Sequence, residues 1–96
     1  MVHSSVIILR PAPSYGSGDS DKIVSDHFNY LKQLHSEGLV KMAGRFSDVL
    51  FGLVILETET LEEARDIMNN DPAVKGRVFH AELYSWSVAI GEFEKG

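Results

Sequence analysis

The sequence contains no cysteine, which excludes disulfide bonds, thiolate catalysis and cysteine-ligated zinc. It has no apolar run of about 18 residues or more, and its first strand-like segment is short and interrupted by serines. Neither a membrane span nor a signal peptide is indicated, and a cytoplasmic location is the expectation. Positive charge is scarce. Nine Lys and Arg against 14 Asp and Glu leave a formal net charge of −5, and the basic residues are scattered, which disfavours a phosphate-binding surface and sets nucleic acid aside. What remains is ordinary: with 44% hydrophobic and 24% charged residues, the chain has the apolar material needed to fold. Its 96 residues suit one domain spanning 1–96 and are too few for two.

Hydrophobic periodicity divides the chain into six elements. Residues 2–9, VHSSVIIL, are rich in β-branched side chains and close at Arg10-Pro11, where proline removes a backbone donor. The next stretch, PAPSYGSGDSD, gathers proline, glycine and small polar residues into a loop that enters a helix near Ser20. At about ten residues this loop exceeds the usual connection of roughly 4 to 6, and such loops often border functional sites, although a plain surface loop reads the same way. Ile23, Val24, Tyr30, Leu31 and Leu34 then form one stripe of a helix that stops at Gly38. LVKMAGRF and LFGLVILETE read as two strands joined by FSDV. Thr60 and Glu63 form a capping box for a second helix, with Leu61, Ala64, Ile67 and Met68 on its apolar side and Asn69 to Pro72 as its stop. RVFHAELYSW is a final alternating strand, followed by a short polar tail.

The order βαββαβ predicts an α+β, ferredoxin-like fold: a four-stranded antiparallel sheet with both helices on one face. In the third strand, Leu53 and Ile55 oppose Val54 and Leu56, so both faces of the sheet carry apolar residues. Two helices cover only one of them. A second copy of the chain is the simplest cover for the other, which predicts a homodimer.

One residue departs from the pattern. His27 falls in the centre of the first helix's apolar stripe, where an unsatisfied polar group costs about 1 to 3 kcal/mol and leucine would cost nothing of the kind. Either it is a core histidine bonded to a backbone carbonyl, or it has a catalytic or binding role. A catalytic histidine normally has a carboxylate that orients its ring, and Asp26, Asp48 and Asp71 are the candidates. Asp26 points nearly opposite to the interior, and Asp48 suits a turn. Asp71 follows the second helix, and at about 1.5 Å per residue it and His27 both lie roughly 10 to 15 Å from the starts of their helices. Side-by-side helices would let them meet, while an Asp-Pro helix stop explains Asp71 equally well. His35 sits at the edge of the stripe and reads as a surface or interface residue.

The last strand places Phe79, Ala81 and Leu83 on one face and Val78, His80, Glu82, Tyr84 and Trp86 on the other. The second face, mixing polar and aromatic groups, suits either a dimer interface or a ligand pocket. His27, His80 and Glu82 lack the spacing of a metal site, so no metal is expected.

Taken together, HFNYL from His27 to Leu31, then LHSEGLVKMAGRF, GLVILETETLEEARDIMNNDP and the closing YSW resemble the YCII-related proteins of the dimeric αβ-barrel group, over about residues 23 to 88. The resemblance implies a ferredoxin-like dimer with a pocket centred on a histidine and an aspartate, carried onto His27 and Asp71 as catalytic residues. In that family Ala-Gly is usually followed by proline. Here Arg45 takes the place, which would suit an anionic substrate because guanidinium matches carboxylate geometry, although an exposed arginine at a strand end needs no such role. Arg45, Tyr84 and Trp86 are the expected substrate-binding residues. Members of the wider group act on small aromatic or lactone compounds as dehydrochlorinases, isomerases or monooxygenases. The leading expectation is therefore a lyase or isomerase without a cofactor, using His27 as general acid or base on a small ring-containing molecule. The alternative is a dimer that binds a metabolite, or serves an accessory role, without chemistry. A haem- or metal-dependent oxygenase is weaker, because its ligand set is incomplete.

Overall fold

The computed structural model describes residues 2–91. Its elements run β1 (His3–Pro11), α1 (Ser20–Ser36), β2 (Val40–Arg45), β3 (Gly52–Thr58), α2 (Leu61–Asn69), α3 (Pro72–Lys75) and β4 (Phe79–Ser85). The expected tail extends beyond the described residues. The strands form one antiparallel sheet in the order β2-β3-β1-β4, and the helices cover one of its faces, as in a ferredoxin-like fold.

Local chemistry accounts for most of the boundaries. Pro11 ends β1 without breaking the ladder. Ala12 N–H donates to the Val78 carbonyl on the β4 side, so the preceding residue's nitrogen faces the β3 side, where pairing has already stopped at Leu9. At the other end of α1, Gly38 adopts φ 83°, which only glycine takes readily. Its N–H bonds the His35 carbonyl and the Leu39 N–H bonds the Leu34 carbonyl, the paired bonds of a Schellman stop. Thr60 caps α2 by accepting from Glu63 N–H at 3.1 Å. The Glu63 carboxylate reaches back one residue further than in a regular capping box, to Glu59 N–H at 2.9 Å.

Two sequence expectations change. The expected stop of the second helix is a break between two helices, because Asp71 caps the short α3 and Pro72 occupies its first turn, a position where proline's missing N–H costs nothing. Val78 was expected on the polar and aromatic face of the last strand. It instead precedes β4 and is 1% exposed, held by its N–H to the Ala73 carbonyl.

The core lies between the sheet and the helices. Ile7, Leu9, Val54 and Leu56 meet Leu31, Leu34, Ala64, Ile67 and Met68, with Phe79, Ala81 and Leu83 packed at the margin. Each fully buried aliphatic side chain contributes roughly 1.5 to 3 kcal/mol. The opposite face of the sheet carries Val6 beside Ile55 and Tyr84, Ile8 beside Leu53 and Glu82, and Arg10 beside His80. No described helix is long and apolar enough to cross a membrane.

Candidate active site

His27 and Asp71 are brought together by the packing of α1 against the α2–α3 break. His27 Nδ1 lies 2.7 Å from Asp71 Oδ2 and 2.9 Å from Oδ1. Both residues are nearly sealed from solvent, at 3% and 4% exposure. The carboxylate is held from its other side by Ala73 N–H, which donates to Oδ1 at 2.8 Å. An acceptor-only carboxylate facing Nδ1 requires the ring proton to sit on that nitrogen, which leaves the lone pair of a neutral imidazole on Nε2. Nε2 has no hydrogen-bond partner among the described residues, and it is not among the enclosed polar atoms that lack one. The cost of burying the imidazole is thus met at one nitrogen only, and the other is free for a ligand.

A cavity of about 180 Å³ opens beside the ring. His27 forms part of its wall, flanked by Phe28 and Phe79, whose rings meet the imidazole edge-on at centroid distances of 5.1 and 5.4 Å. Leu9, Leu31 and Val54 extend the wall from the core, while Ala43, Gly44, Arg45 and Leu50 close it from β2 and the following turn. Arg45 brings the only permanent charge among the described residues that line it. Asp71 stands behind His27 and does not line the cavity.

Other sequence candidates fall elsewhere. Tyr84 and Trp86 do not reach this cavity. Tyr84 lies on the sheet face away from the helices, where its hydroxyl donates to Glu82 at 2.8 Å, and Trp86 follows the end of β4, 41% exposed. Glu82 also accepts from Arg10 Nε at 2.7 Å, and Arg10 stacks over the Phe51 ring. The Arg10 bond, and after it the Tyr84 bond, holds the Glu82 carboxyl below its ordinary range. Asp26 pairs with Lys22 on the surface of α1, and His35 Nδ1–H donates to the Val40 carbonyl. Among the described residues, no three His, Asp or Glu side chains are grouped to hold a metal ion. Near the pair, Tyr30 donates to the Ile67 carbonyl at 2.7 Å. Burial first, then the charges of Asp71 and Glu37, raise its hydroxyl above the usual phenol range.

Two residues of the cavity wall carry no signal of their role in their own spacing or pattern. Phe79 reads as ordinary core at the helix-facing start of β4. Tyr15 sits in the long loop after β1, and its ring stacks on Phe79 at 5.8 Å. The loop's unusual length was the one available pointer to it.

The arrangement can move one proton at Nε2 within an apolar enclosure. Comparison with known proteins gives it a context. Residues 5–87 match the YCII-related domain. The uncharacterized protein YjpA of Bacillus subtilis (strain 168) is 34% identical over 65 residues, which is 68% of this chain and 76% of YjpA. Among solved structures, 5-chloro-2-hydroxyhydroquinone dehydrochlorinase from Burkholderia phenoliruptrix AC1100, in complex with 2,5-dihydroxybenzoquinone, superposes with a TM-score of 0.59. The match covers 86% of this chain and 93% of that one at 18% identity, a likeness of fold.

Proposed function

This chain belongs to the YCII-related domain family, and on that premise we propose that it is a lyase or isomerase needing no cofactor, which acts on a small ring-containing molecule through the His27–Asp71 pair. The reading is carried by the 2.7 Å contact from His27 Nδ1 to a buried carboxylate, with Nε2 left unpartnered at a cavity wall. The dehydrochlorinase whose fold this chain shares supplies a parallel for the chemistry.

The cavity's size favours one ring. An apolar cavity of about 150 Å³ takes up benzene, so about 180 Å³ leaves room for a single substituted ring. In the proposed step, the Nε2 lone pair removes a proton from a carbon or hydroxyl of that ring, and the released electron pair enters its π system. Arg45 opposes the resulting negative charge. The imidazolium then returns its proton to a different ring carbon, completing an isomerisation; where that carbon bears chlorine it is now saturated, and removal of a second hydroxyl proton expels chloride, giving net loss of HCl. Asp71 orients the ring and steadies the imidazolium, as a buried carboxylate does in other histidine-centred sites. Positioned acid-base help of this kind supplies about 10² to 10⁴-fold in rate.

The same proposal includes a homodimer. Val6, Ile8, Leu53 and Ile55 form an apolar strip on the sheet face that the helices leave open, and a second copy would bury it by packing sheet against sheet.

Purified protein incubated with chlorinated hydroxyquinols and small unsaturated lactones, followed by absorbance and chromatography, tests the catalytic reading. Turnover should fall at least about 100-fold in His27→Gln while the circular dichroism spectrum is kept. Equal turnover in the variant would overturn it, and binding without turnover would favour a metabolite-binding dimer.

A further inference from the structure

The loop between β1 and α1 presents a tyrosine to the cavity and is fixed in doing so. Ala12 N–H and Ser14 Oγ bond the carbonyls of Val78 and Arg77 at 2.9 and 2.6 Å, tying the loop to the segment that leads into β4. Tyr15 N–H returns to the Ala12 carbonyl at 2.9 Å, and Gly16 N–H donates to Ser20 Oγ at 3.0 Å. Gly16 takes φ 84°, a conformation that most side chains resist, and this turns the chain sharply after Tyr15. The Tyr15 ring lies on Phe79 with an interplanar angle of 29°, and Phe79 in turn meets the His27 imidazole. Tyr15 is therefore part of the wall that carries the reactive nitrogen. It lines the cavity and is half-buried, and its hydroxyl, which bonds no described residue, is not among the enclosed polar atoms that lack a partner, so it stays open to water or a ligand. In a cavity whose other polar side chains are His27 and Arg45, this phenol is one of the few groups able to hydrogen-bond a ligand.

We propose that Tyr15 is a specificity-determining residue, whose hydroxyl hydrogen-bonds an oxygen substituent of the bound ring and so selects planar, oxygen-substituted ring anions over unsubstituted ones. This rests on the reading of the cavity as a ring-binding site, and it adds a named contact from a loop outside the His27–Asp71 pair. The ring stack on Phe79 supplies the flat surface, and the hydroxyl supplies the discrimination.

Benzoate, 3-hydroxybenzoate and 4-hydroxybenzoate form a matched series for the test, with binding followed by calorimetry and by the His27 imidazole resonances. At least one hydroxybenzoate should bind the wild type about 3 to 10-fold more tightly than benzoate, the margin one net hydrogen bond provides. Tyr15→Phe, which keeps the ring stack and hence the fold, should erase that margin while leaving benzoate within about twofold of its wild-type affinity. A margin that survives in Tyr15→Phe, a margin absent from the wild type, or an equal weakening of all three compounds would overturn the assignment of Tyr15 and leave the ring site standing. If none of the three shifts the His27 resonances, the ring site itself falls, and the role of Tyr15 with it.

Discussion

His27 and Asp71 stand 44 residues apart in sequence, and their side chains meet at 2.7 Å in a place from which water is nearly excluded. A buried polar pair of this kind is worth little if both partners are exchanged for hydrocarbon, and costs much if only one is removed. Single substitutions at either end are therefore informative.

Asp71→Asn keeps the shape of the side chain and removes its charge. The amide can donate to Nδ1, which would move the ring proton to Nε2 and block that nitrogen as a base. Turnover should fall by about 10² to 10⁴-fold with the secondary structure unchanged, and the imidazole nitrogen shifts in NMR should report the other tautomer. An unchanged rate would remove Asp71 from the proposed machinery.

The open face of the sheet offers a test of assembly. Val6 sits in β1 between Ile55 and Tyr84, away from the cavity. If that face is covered by a second copy, Val6→Lys should convert a dimer into a monomer in light scattering coupled to gel filtration. A wild type that is already monomeric at about 100 μM, well above the concentration at which a micromolar dimer dissociates, would refute the face-to-face dimer.

Glu82 provides a dependence on pH whose sign is fixed. Its carboxyl is held below the ordinary value of 4.5, first by the bond from Arg10 and then by that from Tyr84. As pH falls, the unfolded chain is protonated at this residue before the folded one. The stability it adds is therefore complete above about pH 4.5 and disappears as pH drops further, through the folded-state value. Urea midpoints of wild type and Glu82→Gln, compared in the Val6→Lys background so that subunit dissociation plays no part, should differ at pH 6 and converge toward pH 3. High salt should shrink the difference, because this exposed pair is screened. A difference that grows on acidification would show that the assigned contact is wrong.

Much of this was legible in the residues. Gly38, the Thr60 cap and the alternation of β3 and β4 act through neighbours a few positions away, so spacing alone carries them. The inward direction of His27 follows from its place on the helical wheel. Its partnership with Asp71 depended on how two helices pack, which spacing could permit and not require. Tyr84 lies where alternation puts it, on the face opposite Phe79, Ala81 and Leu83. A period of two tells which residues share a face and is silent on which face holds a cavity, and the cavity lies on the helix side. Tyr15 was hidden for a related reason: its setting depends on the carbonyls of Arg77 and Val78, more than sixty positions away. Val78 was misassigned because a buried valine before a strand looks the same, in sequence, as the strand's first residue.

The break between α2 and α3 also bears on how the site could be transplanted. The Asp71 carboxylate takes the first free N–H of α3 on Oδ1 and faces the imidazole of α1 with both oxygens, Oδ2 the nearer, so helix start and proton placement are set by the same group. A designer who copied only a histidine and an aspartate onto another scaffold would leave behind what aims the carboxylate. The portable unit is the Asp-Pro junction together with the helix that faces it, and a graft should be judged first by whether that junction forms.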